Sequence, residues 1–172
     1  MADYHSTAVI QPDVPIADLS PLEALLLSHM VDVALNGDGL YLCIETGVNS
    51  LVQVAINELR TAHQNSTGYD SQLQSVVDQW LTEIPTNAEE TDDTEFDFDT
   101  HLTENAYILI LQDVLRRSTT RSFFTVNGAY TCTKMRPDGF GGWAAFVTPT
   151  EIHRMSTDSW IESMFETLKI VA

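Results

Sequence analysis

The hydrophobic period changes along this chain, and the change bounds what it can fold into. Between Ser20 and Arg117, apolar residues recur mainly every three to four positions, the period of helices with one buried face. Between Phe123 and Thr148 they recur at alternate positions around glycine-containing turns, the period of half-buried strands. Helices gathered first and strands afterwards favour α+β over a repeating strand–helix–strand fold. The expectation is a three- or four-stranded, mainly antiparallel sheet. The C-terminal meander supplies most of it, and four to five helices pack mostly on one face.

Local signals place the elements. Ser20-Pro21-Leu22-Glu23 combines a capping box with proline at the first helical position. Leu22, Leu25, Leu26, Met30 and Val33 then form a stripe that Asn36-Gly37-Asp38-Gly39 ends. Leu40 to Glu45 reads as a strand. Helices are expected over about 49–63, through Leu73 to Leu81 before Pro85, and over about 103–117, with a last one capped by Ser156. Phe123–Val126, Asn127-Gly128 and Ala129–Thr133 read as a hairpin, and Trp143–Thr148 as a third strand. Residues 1–19, with Pro12 and Pro15, read as an extended arm or edge strand. Residues 86–101 read as an acidic surface segment. The whole, 1–172, is expected to be a single domain.

Apolar residues make up 44% of the chain, which argues against disorder throughout. Charge is the unusual property: 25 acids face 8 bases, a net −17. Residues 1–115 hold 20 acids and one base, Arg60. Residues 116–172 hold seven bases and five acids. Such a chain is repelled by nucleic acid and anionic membrane at long range and drawn to basic proteins. Direct binding to long nucleic acid and to membranes is therefore not expected. General solvation explains the same numbers. No basic start followed by an apolar stretch occurs, and no apolar run would span a bilayer. A cytoplasmic protein is expected.

Two segments could carry chemistry. With a two-residue turn at Asn127-Gly128, alternation puts Phe123, Thr125, Tyr130, Cys132, Lys134 and Arg136 on one face. A thiol beside cations favours thiolate, so Cys132 with His153 or His101 as base is a candidate nucleophile. A small buried hydrophobe is the plain alternative. Tyr130, Lys134, Arg136 and Asp138 could instead hold an anionic ligand, with Arg116, Arg117 and Arg121 nearby. Asp138-Gly139-Phe140-Gly141-Gly142 is not a phosphate loop, because a strand follows it rather than a helix.

The second segment is Glu89, Glu90, Asp92, Asp93, Glu95, Asp97 and Asp99, seven acids in eleven residues. Extended, it sets Glu95, Asp97 and Asp99 on one side and Phe96 and Phe98 on the other. It reads as a solvated loop pinned by its phenylalanines, as a docking strip for a basic partner, or as a cation site. The strip could imitate nucleic acid, because alternate residues lie about 6.6–6.8 Å apart along a strand, near the spacing of successive phosphates. The cation reading lacks the glycine and terminal glutamate of a calcium loop.

Cys43 and Cys132 form no zinc pattern, and the five histidines lack metal-helix spacing. Neither metal nor cofactor is expected. Two functions follow. One is a non-catalytic acidic interaction protein that binds a basic partner, in its sharpest form by nucleic-acid mimicry. The alternative is a small enzyme or anionic-ligand domain centred on Cys132 to Asp138.

Overall fold

Ser20 starts α1 (Pro21–Met30) as its local chemistry demands. The Ser20 hydroxyl accepts the Glu23 N–H at 3.2 Å, and the Glu23 carboxylate accepts the Ser20 N–H at 2.9 Å. The fold is described by a computed structural model over residues 3–85, 88–89, 92–101, 105–134, 136 and 139–169, with backbone only at 100 and 101. Eight strands, six α-helices and one 3-10 turn (Ile16–Asp18) occur among them. Five helices have ten or more residues: α1, α2 (Ile56–Asn65), α3 (Leu73–Glu83), α5 (Ala106–Arg117) and α6 (Thr157–Leu168); α4 (Phe98–His101) is a single turn.

Six strands form one antiparallel sheet. They are β1 (Tyr4–Pro15), β2 (Asp32–Asn36), β3 (Gly39–Ile44), β6 (Phe124–Cys132), β7 (Phe140–Val147) and β8 (Ile152–Ser156), in the spatial order β2-β3-β1-β6-β7-β8. The sheet is thus larger than the three or four strands expected. β4 (Leu51–Ala55) and β5 (Asp93–Asp97) make a separate antiparallel pair.

Several local readings give way to pairing. The N-terminal segment is no arm or edge: β1 lies inside the sheet, between β3 and β6. Its register shifts between Ile10 and Val14, the stretch that contains Pro12, as a residue without an N–H requires. The first helix stops at Met30, and Asp32–Asn36 pairs with β3 across a turn where Gly37 has φ +60°, a conformation that favours glycine. The helix expected over 49–63 begins only at Ile56, because Leu51–Ala55 pairs with β5. The acidic segment therefore contains a strand and the α4 turn.

Asn127-Gly128 is not a turn. β6 runs unbroken through it, pairing with β1 on one side and β7 on the other. Gly128 lies under the Trp143 indole, where an added Cβ would sit 2.3 Å from the ring. Glycine serves there for close approach rather than for turning.

Alternation then divides the large sheet. Ala8, Ile10, Leu42, Ile44, Phe124, Val126, Ala145 and Val147 are buried on one face. α1 and α5 cover it, and α5 is buried on nearly all sides, as expected of a helix between two layers. β4, β5, α2 and α3 form the outer layer. Asp113 of α5 joins the layers by accepting from the Ser71 hydroxyl, the Gln72 N–H and the Gln72 amide at 2.6–3.2 Å. On the opposite face of the sheet His5, Thr7, Asn127, Ala129, Ala144, Phe146, His153 and Met155 are exposed. No helix of the described residues is long and apolar enough to cross a membrane.

Candidate functional site

The unbroken β6 strand regroups the C-terminal candidates. Tyr130 and Cys132 lie on the same side as Phe124 and Val126, not with Phe123 and Thr125 as a two-residue turn would require. Cys132 is 5% exposed and packed closely by Gly139, where an added Cβ would fall 2.8 Å from its own. The Tyr130 hydroxyl donates to Asp158 at 2.8 Å.

His153 is not brought to the thiol. It lies on the opposite face, paired with Phe146, whereas Cys132 follows Thr131, the partner of Phe140. Six residues of β7 separate those positions, about 20 Å. The His153 ring instead meets Glu151 at 2.9 Å. The side chain of His101 is outside the described residues, as are Asp138 and Glu90.

The arginines expected near this face serve elsewhere. Arg117 pairs with the buried Glu23 and donates to the Asp18 and Asp70 carbonyls. Arg116 pairs with the buried Asp113 at 2.7 Å and donates to the Pro149 carbonyl. Arg121 reaches the Asp13 carbonyl. Of the proposed anion ligands, Lys134 and Arg136 are exposed beyond the end of β6. No group of three His, Cys, Asp or Glu among the described residues could hold a metal ion.

The second thiol, Cys43, lies half-buried on the open face, paired with Val9 and Asp32. Burial raises its pKa above the ordinary thiol value, and the Asp32 and Glu45 carboxylates push it further up. A raised pKa leaves less thiolate at any given pH. Cys43, through its raised pKa, and Cys132, through its burial, are expected to react with iodoacetamide more slowly at neutral pH than a free small-molecule thiol. Cys43 should gain reactivity only well into alkali, and Cys132 only on unfolding. A labelling time course on Cys43→Ser and Cys132→Ser checks this. Rapid modification at Cys132 near neutrality would restore it as a nucleophile.

From Asp93 to Phe98 the acidic segment is packed onto the fold. Trp80 packs against Phe96 with ring centres 4.7 Å apart and planes tilted by 30°, Phe96 meets Phe98 edge-on at 4.9 Å, and the Trp80 indole donates to the Thr94 hydroxyl at 2.9 Å. Phe96 and Phe98 are buried. Alternation consequently turns Asp93 and Glu95 outward. Glu95 also accepts from the Gln53 amide at 2.7 Å. Asp97 is half-buried and accepts the Asp99 N–H at 3.0 Å. Asp92 accepts the Glu89 N–H at 2.8 Å, and both residues are exposed. The outward carboxylates are Glu89, Asp92, Asp93, Glu95 and Asp99.

No protein-family model matches this chain, and no curated protein or solved structure matches it either.

Two apolar surfaces escaped sequence reading. Phe123 and Phe146 stack on the open face at 5.3 Å and 9°. On α6, Trp160, Ile161, Phe165 and Leu168 are exposed, and no residue of that helix is buried. The three-to-four spacing of the α6 stripe was visible in the sequence, but period alone does not say whether anything covers a stripe.

Proposed function

We propose that this protein is a non-catalytic interaction protein that binds a basic partner through its acidic side, the β5 strip acting as an imitation of a nucleic-acid backbone. One observation carries the reading. The arginines in the last turn of α5 pair with buried carboxylates, Arg117 with Glu23 and Arg116 with Asp113, while β5 holds Asp93 and Glu95 outward on a braced strand. Internal pairing thus uses cations that would otherwise offset the surface acids, and the field around the strip is predominantly negative. Carboxylates on a braced strand also lose little freedom on binding.

The test compares equal charge changes at two places. Asp93→Lys with Glu95→Lys, and separately Asp38→Lys with Glu45→Lys, are titrated against a lysine-rich DNA-binding protein. Displacement of a labelled DNA duplex is the readout. Strip reversal is expected to weaken displacement by about tenfold or more, and the distant pair by about threefold or less. The wild-type effect should fade as salt rises. Equal losses from both pairs would reduce the matter to bulk charge and sink the reading.

A further inference from the structure

We propose that α6, with Met155 of the edge strand β8, is the contact through which two copies of this chain form a symmetric dimer. Trp160, Ile161, Phe165 and Leu168 are 52%, 46%, 40% and 63% exposed, and they follow one another at helical spacing. Met155, at 58%, joins Trp160 in lining a groove of about 280 Å³ with Gly142, Trp143 and Ala144. A twelve-residue helix with no fully buried residue and only Met164 half-buried gains little from packing. Its Ser156–Ser159 capping box defines where it starts but supplies no packing.

Area and charge both favour a second copy. The five side chains leave roughly 500 Å² of apolar surface per copy. Two such faces bury roughly 1,000 Å² before any rim is counted, near the lower bound for a specific interface. Self-association through the outer layer, which exposes Glu58, Asp78, Glu83, Asp93 and Glu95, would press acid on acid. With Arg116 and Arg117 engaged by Asp113 and Glu23, residues 118–172 carry five bases and five acids, against one base and 20 acids in residues 1–115, so this end brings two copies together with little repulsion. The helix is also complementary to itself when antiparallel. Asp158 lies in its first turn and Lys169 just past its last, so each copy's cation comes to the other's carboxylate and the helix dipoles oppose. A two-fold contact of this kind closes, leaving no end for a third copy.

This inference is independent of the acidic strip. The experiment is sedimentation equilibrium of the full chain up to roughly 100 µM, in low salt and in about 0.5 M salt. The expected result is twice the chain mass, persisting or strengthening in high salt because repulsion between the bodies is screened. Trp160→Glu and Phe165→Glu, at positions exposed enough to be tolerated in a folded monomer, should each raise the dimer Kd by about a hundredfold or more, since symmetry counts each change twice. Leu35→Ser, at the far edge of the sheet, should leave the dimer unchanged. A monomer throughout overturns the proposal. A dimer that ignores both glutamates but yields to Leu35→Ser places the contact on β2 and overturns it too.

Discussion

Replacing Arg117 with methionine is expected to lower the stability of the fold by about 3–5 kcal/mol. The Glu23 carboxylate is fully buried at the start of α1, and Arg117 donates to it at 2.5 Å from the last turn of α5. The same guanidinium holds the Asp18 and Asp70 carbonyls and lies over the Tyr69 ring at 5.5 Å. Without it, Glu23 keeps only the Ser20 N–H, and its other oxygen has no partner among the described residues. A buried charge left uncompensated is far costlier than a pair removed whole. Adding Glu23→Gln to Arg117→Met should therefore recover much of the loss. Urea unfolding followed by tryptophan fluorescence measures both variants. A loss below about 1 kcal/mol for Arg117→Met would mean that the carboxylate reaches water, and the pair would then count as a surface contact.

Trp80→Ala is the second large effect, expected at about 3–5 kcal/mol. Trp80 is 2% exposed, and its ring is the platform for Phe96. A two-stranded sheet has little stability of its own, so β4 and β5 depend on this cluster. The loss should be local before it is global: amide exchange should quicken at Thr94 to Phe96 well before it does in β6. Trp80→Phe keeps most of the packing but not the donor to Thr94, and should cost about 1 kcal/mol. If the strip is the partner-binding element, Trp80→Ala should also weaken DNA displacement with no change of charge. Alanine and phenylalanine variants of equal stability would remove the brace from the account.

What was legible in the sequence followed from contacts within a few residues. The Ser20–Glu23 box, the stop of α3 before Pro85 and the Ser156 cap all act through neighbouring backbone groups. Leu40 to Ile44 alternates enough to read as a strand, and the phenylalanines of the acidic segment were readable as its anchors. What failed was set by partners distant in sequence. A strand between two others gains hydrogen bonds along both edges, which outweighs an Asn-Gly turn preference at 127–128 or prolines in β1. β4 repeats the lesson, because Leu51 to Ala55 has helical spacing and pairs with Asp93 to Asp97 nonetheless.

The candidate site divided the same way. The sequence alone established the charge, its uneven division at about residue 115 and the acid–phenylalanine alternation, because these are properties of composition and order. Only the tertiary structure decided that Cys132 is buried and remote from His153, that the arginines answer buried carboxylates, and that the α6 stripe is left uncovered by the described residues. Burial, pairing and exposure depend on which surfaces meet, and one slipped residue or one misplaced turn exchanges the two faces of a strand.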